Sequence, residues 1–373
     1  MKILIVPDSF KGSLSSRQVA NAIAEGIQDL EVEIEKIPMA DGGEGTVDCL
    51  ISAYNGNLMK DFVTDPIGRK IQVEFGILKD NKTAIIEMAS ASGLFLIPKG
   101  ERNPLYTTTY GTGKLIRKVI ERGFTKIILG LGGSATTDCG AGALQALGVI
   151  LLDEKGHNIR FGGLHLKDVA SIDTSTLRRL ENIEMTFLYD VSNKLLGYNG
   201  AARVYSQQKG ASVDEATILE NNLGHFSEII RRDTGKNITE FAGSGAAGGL
   251  AAGLSLLFKS HYISGSEFMI TATNLETKIQ KADFIITGEG ELNSQTKFGK
   301  LPYKIAEIAG KFNKPVIGLF GNVTQNAREE YKLKFHKVSS LLEQGISQEK
   351  AMQNAHFMLV EKVKEVFKEI KLN

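Results

Sequence analysis

The stretch Lys126-Ile-Ile-Leu-Gly130-Leu-Gly-Gly-Ser-Ala-Thr-Thr-Asp138-Cys-Gly-Ala-Gly142 reads as a short buried strand running into glycines and hydroxyls and then into a helix. An apolar run of four or five residues closed by glycine is a strand signature. The small residues after it predict a glycine-rich helix start over 132–147. Backbone N–H groups and the helix dipole hold phosphate in such a layout. The same residues would also suit close helix–strand packing. The P-loop string G-x-x-x-x-G-K-[ST] does not occur anywhere in the chain, so a phosphate site here is of another kind.

Working outward, the same strand-then-helix texture recurs. Strands are predicted over 3–6, 32–37, 126–130, 187–190, 284–288 and 315–320. Helices are predicted from 13 or 15 to about 28, and over 44–53, 113–121 and 349–370. Between 58 and 88 the texture changes to three strands, 58–64, 70–78 and 83–88, separated by Pro66-Ile-Gly68 and Asp80-Asn-Lys82, as in an antiparallel meander. Alternating strands and helices argue an α/β fold with a mostly parallel sheet, whose ligands sit beyond the carboxyl ends of the strands. The meander marks a second, mixed-sheet α/β domain. The expected division is 1–56 plus 270–373, with 105–135 as a further candidate segment, against 57–269.

At 373 residues the chain suits two domains. A formal charge of +1 gives no global field toward nucleic acid or an anionic membrane. Cys49 and Cys139 lack metal-ligand or C-x-x-C spacing, which fits a reducing compartment. The apolar run near Met1 is too short for a signal-peptide core, and no stretch is long enough to span a membrane, so a cytoplasmic protein is expected. Glycine is the outlier: 40 residues, gathered in clusters between apolar segments, which suggests backbone drawn close to a ligand.

Other strings carry polar groups at predicted strand ends or turns. Asp8-Ser-Phe-Lys11-Gly-Ser13 sets a carboxylate, an ammonium group and hydroxyls just after a strand; Lys11 suits a phosphate, and Ser13 or Ser15 would equally cap a helix. Asp41-Gly-Gly-Glu44 reads as a turn with a helix cap or as an acidic ligand loop. Asp190-Val-Ser-Asn193 offers a base toward a hydroxyl, a Mg²⁺ ligand, or a turn. Gly243-Ser-Gly-Ala-Ala-Gly248 matches G-x-G-x-x-G as a string, but no convincing strand precedes it. Gly288-Glu-Gly-Glu-Leu-Asn293-Ser-Gln-Thr296, followed by Gly299-Lys300, forms a polar loop after a buried strand. The six histidines lie outside all of these strings, which argues against a zinc site or a Ser-His-Asp hydrolase.

In this order the strings resemble the glycerate kinase family, type I. They are Asp8-Ser-Phe-Lys-Gly-Ser13, Pro38-Met-Ala-Asp-Gly-Gly-Glu-Gly-Thr46, Tyr110-Gly-Thr-Gly113, Gly130-Leu-Gly-Gly-Ser-Ala-Thr136, Asp190-Val with Asn193-Lys-Leu-Leu-Gly197, Gln208-Lys-Gly-Ala211, Gly243-Ser-Gly-Ala-Ala-Gly-Gly249 and Thr287-Gly-Glu-Gly-Glu291. The resemblance implies transfer of the ATP γ-phosphoryl group to D-glycerate with Mg²⁺, giving 2-phosphoglycerate. It also implies one flavodoxin-like and one restriction-endonuclease-like domain, with the active site between them. On this reading Asp190, Lys11 and Asp8 are catalytic, and Asp41, Arg102, Asn193 and Ser244 bind glycerate. Gly132, Gly133, Ser134, Thr137, Gly288, Glu289 and Gly290 hold the nucleotide, and Asp138 or Glu289 holds the metal. Asn293 stands where the family usually has Asp, Thr137 where Asn is common, Lys194 where Pro is common, and Tyr205-Ser-Gln207 where Phe-Gly-Pro is common. These departures keep open a related hydroxy acid as substrate, a 3-phosphoglycerate product, or a weakened binding protein. A nicotinamide-dependent dehydrogenase built on 243–248 is the rival enzyme class.

Overall fold

The computed structural model describes residues 1–175, 180–294, 296, 300–331, 334–342 and 346–370. Contacts divide the chain into two compact units, Met1–Asp41 with Ser266–Asn373, and Gly42–Gly265.

The smaller unit is built on five strands: Lys2–Pro7 (β1), Glu33–Lys36 (β2), Phe284–Gly288 (β11), Val316–Phe320 (β13) and Lys337–Ser340 (β15). They pair in the order β15-β13-β11-β1-β2, all parallel. Ile3 to Val6, Ile285, Ile286 and Val316 to Phe320 are buried, which is why the central strands read as unbroken apolar runs rather than alternating ones. Counted within this unit, the order is 2-1-3-4-5, the flavodoxin-like doubly wound arrangement. The direction of winding reverses between β1 and β11, where Val6 lies beside Thr287 and Pro7 beside Gly288. The helix Ser16–Gly26 begins at a capping box, with the Ser15 hydroxyl on the Gln18 amide and the Gln18 side chain on the Ser15 N–H. A two-stranded parallel sheet, Glu291–Leu292 (β12) with Asn322–Val323 (β14), lies just past β11 and β13.

The larger unit carries six strands: Asn57–Thr64 (β3), Lys70–Ile77 (β4), Thr83–Glu87 (β5), Lys126–Gly130 (β6), Glu184–Tyr189 (β9) and Lys259–Ser264 (β10). The order is β10-β9-β6-β5-β4-β3, antiparallel across β3, β4 and β5 and parallel from β5 to β10. The expected meander is therefore present. Ile150–Leu152 (β7) and Ser171–Asp173 (β8) add a small antiparallel pair. Leu129, Met185, Phe187 and Phe226 lie at the centre of the core. The 22-residue helix Val213–Thr234 adds to the expected elements; Ser212 and Glu215 cap its start, and Gly235 closes it at φ 72°.

The structure corrects three expectations. The helix Thr46–Tyr54 belongs to the larger unit, because it packs on β4 and β5 and its Val47 N–H is held by Glu87 at the end of β5. Segment 105–135 belongs there too, since β6 is an inner strand of the mixed sheet. Residues 131–140 form a loop rather than a helix start. The helix begins only at Ala141 and ends at Ala146, after left-handed backbone at Gly133, Cys139 and Gly140.

Candidate active site

In the smaller unit the reversal between β1 and β11 delivers acids from two adjacent strands. Asp8 follows Pro7 directly, and its N–H bonds the Gly288 carbonyl at 2.9 Å. Its carboxylate is only 5% exposed and accepts from the Ser9 N–H at 2.6 Å. Burial pushes its pKa well above the ordinary aspartate value; the charge of Asp41 adds to this, Lys11 and the Ser9 N–H oppose it, and Glu289 adds again. Lys11 is bound to Asp41 at 3.1 Å. Glu289 is buried, and burial raises its pKa against the pull of Lys300 at 3.4 Å, the Thr296 hydroxyl and Lys11. Asp8, Lys11, Asp41 and Glu289 thus form one electrostatic group.

The glycines around this group do different jobs. At Gly288 a side chain would run into the Leu319 backbone, so that glycine serves strand packing. At Gly290 an added Cβ would sit in ordinary contact with the backbone of Phe10 and Lys11, the Lys11 backbone nitrogen nearest at 3.5 Å, so no clash demands glycine there. Downstream, the Glu291 carboxylate is gripped by two amides, Asn293 Nδ2 at 2.9 Å and Asn322 Nδ2 at 3.1 Å. The Tyr331 hydroxyl donates to the Asn293 carbonyl. Gln295 and Gly299 lie outside the described residues.

In the larger unit, loop 131–140 has two halves. Gly132, Gly133 and Ser134 are half-buried or exposed, while Ala135 to Gly140 are buried. Gly130 and Gly132 are small because the backbone of Gly42 and Gly43 crosses them, with the Gly132 N–H on the Gly42 carbonyl. Gly248 likewise packs on the Thr136–Thr137 backbone. Much of the glycine clustering is therefore backbone drawn against backbone, not against a ligand. Thr137 is fully buried, with its hydroxyl 3.3 Å from that of Ser206. The Asp138 carboxylate accepts from the Thr109 N–H and hydroxyl, both at 2.8 Å, and from the N–H groups of Gly140 and Gly142. Fully buried, it ties Thr109 to the start of the helix, and its acceptor capacity goes to the protein's own donors.

Asp190 follows β9 and is exposed. Burial first, and the charge of Asp190 second, hold the Tyr205 phenol above its ordinary pKa, which places that carboxylate near Tyr205. The Tyr205 hydroxyl donates to Asn193 Oδ1 at 2.7 Å, and Asn193 Nδ2 donates to the Asn199 carbonyl. Ser244 is fully buried; its hydroxyl accepts from the Leu195 N–H and donates to the Thr239 carbonyl, pinning the loop after Asp190. Arg102 is half-buried, with its Nε on the Ile97 carbonyl. Of the expected site residues, Asp8, Lys11, Asp41, Gly288, Glu289 and Gly290 belong to the smaller unit and the others to the larger.

Two polar residues outside the expected set emerge from burial. Lys209 is 2% exposed and donates to the Thr136 carbonyl at 2.7 Å; burial lowers its pKa to about 7 against the opposing charge of Asp138. Its one sequence signal is the string Gln208-Lys-Gly-Ala211, which gives no role. Glu87 holds the Val47 N–H at 2.8 Å, and burial raises its pKa to about 7. Nothing local in the sequence marks it. Among the described residues no group of three or more His, Cys, Asp or Glu is arranged to hold a metal ion, and no helix is long and apolar enough to cross a membrane.

The model of the glycerate kinase family matches residues 3–371. The chain is 40% identical to a glycerate kinase of Bacillus subtilis (strain 168), an alignment covering 100% of this chain and 98% of the relative. It is 46% identical to a glycerate 2-kinase of Escherichia coli (strain K12) over 87% of this chain and 86% of that one. A crystal structure described as glycerate kinase 2 from Salmonella typhimurium LT2 superposes with a TM-score of 0.82 at 40% identity, covering 100% of this chain and 98% of that one.

Proposed function

Because the chain belongs to the glycerate kinase family and is an enzyme of that kind, we propose that it transfers the γ-phosphoryl group of ATP to the 2-hydroxyl of D-glycerate, releasing ADP and 2-phosphoglycerate. The observation that carries this reading is the family match over 3–371, which spans both sets of candidate residues. Phosphoryl transfer asks the protein for positioning and charge neutralisation more than for covalent chemistry, which suits a site without histidine.

Asp190 is proposed as the base. Its carboxylate takes the proton of the glycerate hydroxyl, the oxygen forms the new bond to the γ-phosphorus, and the bond from that phosphorus to the bridging oxygen of ADP breaks. Its place after a strand end, exposed beside a loop pinned by Asn193 and Ser244, supports that role. Asn193 and Ser244 are assigned to holding this loop. Lys11 and Arg102 are the cations proposed for the carboxylate of glycerate or the transferring phosphoryl group, with Asp41 orienting Lys11. Gly133 and Ser134, exposed and half-buried, are the positions proposed for phosphate oxygens to approach backbone N–H groups, with Gly132 and Gly290 shaping the backbone beside them. Gly288 and Thr137 support them from within.

For Mg²⁺, the fit favours Asp8 and Glu289 over Asp138. Asp8 and Glu289 are hard oxygen donors; burial raises the cost of ionising both, the charges of Asp41 and Glu289 add to it at Asp8, and a divalent cation would relieve that cost. Asp138 is committed to four protein donors. When bound, the ion neutralises phosphate charge.

The test is ADP release from ATP, Mg²⁺ and D-glycerate, with the product identified by ³¹P NMR. A 2-phosphoglycerate signal supports the reading. A 3-phosphoglycerate signal keeps the chemistry and overturns the regiochemistry, and absence of glycerate-dependent ADP removes glycerate as acceptor.

A further inference from the structure

Lys209 is nearly as buried as any apolar core residue, although a lysine side chain is rarely found fully buried unless paired. Desolvating an ammonium group costs several kcal/mol before any partner is found. Its one direct hydrogen bond among the described residues goes to the Thr136 carbonyl, at 2.7 Å, inside the glycine-rich loop. A neutral donor would satisfy a buried carbonyl equally well. What lysine adds when protonated is a charge-assisted bond and an electrostatic partner for Asp138, whose carboxylate holds the Gly140 and Gly142 N–H groups at the start of the helix that follows the loop.

The surroundings show what that bond controls. The inner half of the loop is fastened by neutral ties: the Ala135 N–H to the Ser92 carbonyl, the Thr107 hydroxyl to the Ala135 carbonyl, and the Cys139 N–H to the Gly248 carbonyl. The segment carrying Lys209 adds a second tie, Ser206 to Thr137. Segment 206–209 thus grips two consecutive residues, Thr136 and Thr137, just inside the displayed Gly132, Gly133 and Ser134. That segment is itself seated where Gly210, at φ 104°, packs on the Arg102 backbone.

We propose that Lys209 is the positioning residue of the nucleotide loop: by holding the Thr136 carbonyl from the core side, it sets the shape in which Gly132, Gly133 and Ser134 meet a polyphosphate. The identity of the ligand rests on the kinase reading above. Lys209 itself touches neither substrate, because it is sealed from solvent.

The test uses the intact chain, with ATP and Mg²⁺ as the probe. Equilibrium dialysis gives the nucleotide Kd, steady-state assays give the glycerate KM, and thermal unfolding confirms the fold for wild type, Lys209→Met and Ser206→Ala. Lys209→Met is expected to raise the nucleotide Kd about tenfold or more while the glycerate KM stays within about twofold. Ser206→Ala, which removes one neutral tie and little volume, should raise the Kd about threefold. A folded Lys209→Met chain with wild-type Kd overturns the proposal, as does an equal shift of Kd and glycerate KM, which marks general loosening. Should Lys209→Met not fold, an unchanged Kd in Ser206→Ala overturns it. Wild-type protein that binds ATP but does not phosphorylate glycerate sinks the proposed acceptor, and the Kd comparison still decides Lys209. Wild-type protein that does not bind ATP sinks both.

Discussion

Two stretches of similar texture, the ends of β11 and β6, meet opposite fates. Each is a buried strand that stops at glycine and leads to an acid, Glu289 directly in one case and Asp138 at the far end of a loop in the other. Both carboxylates are buried, and burial raises the pKa of both. Asp138 is surrounded by N–H and hydroxyl donors of its own unit, so its charge is consumed in shaping a loop. Glu289 is itself paired with Lys300 and the Thr296 hydroxyl; its charge, after that of Asp41, adds to what burial does to Asp8, so the like-charge repulsion of this group falls on Asp8. An acid satisfied by backbone builds the fold, whereas acids that repel one another are available to a ligand that brings positive charge.

Substitutions can break this contrast. The largest effect is expected at Asp190, the acid after β9. Asp190→Asn should lower kcat by about a hundredfold or more with nucleotide Kd unchanged; near-normal turnover would remove Asp190 from the mechanism. Next, Asp8→Asn and Asp138→Asn should move stability in opposite directions. A group whose folded pKa is raised contributes stability that is lost as pH rises through that pKa, so ionised Asp8 weakens the fold near neutrality. Asp8→Asn should therefore raise the thermal midpoint at pH 8 more than at pH 5, while lowering kcat about tenfold or more. Burial raises the pKa of Asp138 too, so the same pH trend acts there; Asp138→Asn, however, turns an acceptor into a donor facing N–H groups, and that loss of roughly 1–3 kcal/mol outweighs the trend. Two shifts of the same sign in urea or thermal unfolding would erase the distinction drawn here.

A smaller effect is expected at Asn293. Its amide donates to Glu291, so Asn293→Asp replaces a hydrogen bond with two facing carboxylates. We expect a loss of about 1 kcal/mol and no gain in turnover; a large rise in kcat would show instead that the loop lacks a needed charge. The smallest effect concerns Glu87, whose raised value near 7 means that its stabilising contribution fades between about pH 4.5 and 7. Glu87→Gln keeps an acceptor for the Val47 N–H, and its thermal midpoint relative to wild type should climb across that window. A difference that stays flat with pH would remove the buried charge from the account.

Much of this was legible in the chain. The strands β1, β6, β11 and β13 are unbroken apolar runs, and Asp8 just past β1 and Glu289 just past β11 stand where α/β sheets place ligands. The meander was legible from its turns. The long helix Val213–Thr234 was not assigned, although Ser212 with Glu215 is a capping box in plain view. The glycines of 130–142 carry the local pattern of a helix start, which suits a ligand cradle and close packing alike. Their crossing partners, Gly42 and Gly43, lie almost ninety residues away in sequence, and no local pattern pairs them.

The sequence by itself determined the class of fold, the family and the shortlist of acids, because apolar period and ordered motifs are properties of the chain read in one dimension. Which acid is satisfied and which is left under repulsion was decided by tertiary structure alone. Asp8 looks no different on paper from Asp138, and both are buried; the donors around Asp138 and the charge of Asp41 beside Asp8 separate them, and each depends on segments brought together from far apart in the chain. Lys209 is the same lesson in a cation: an ordinary lysine in the sequence, it becomes a candidate for control only when the fold encloses it beside the Thr136 carbonyl and the charge of Asp138.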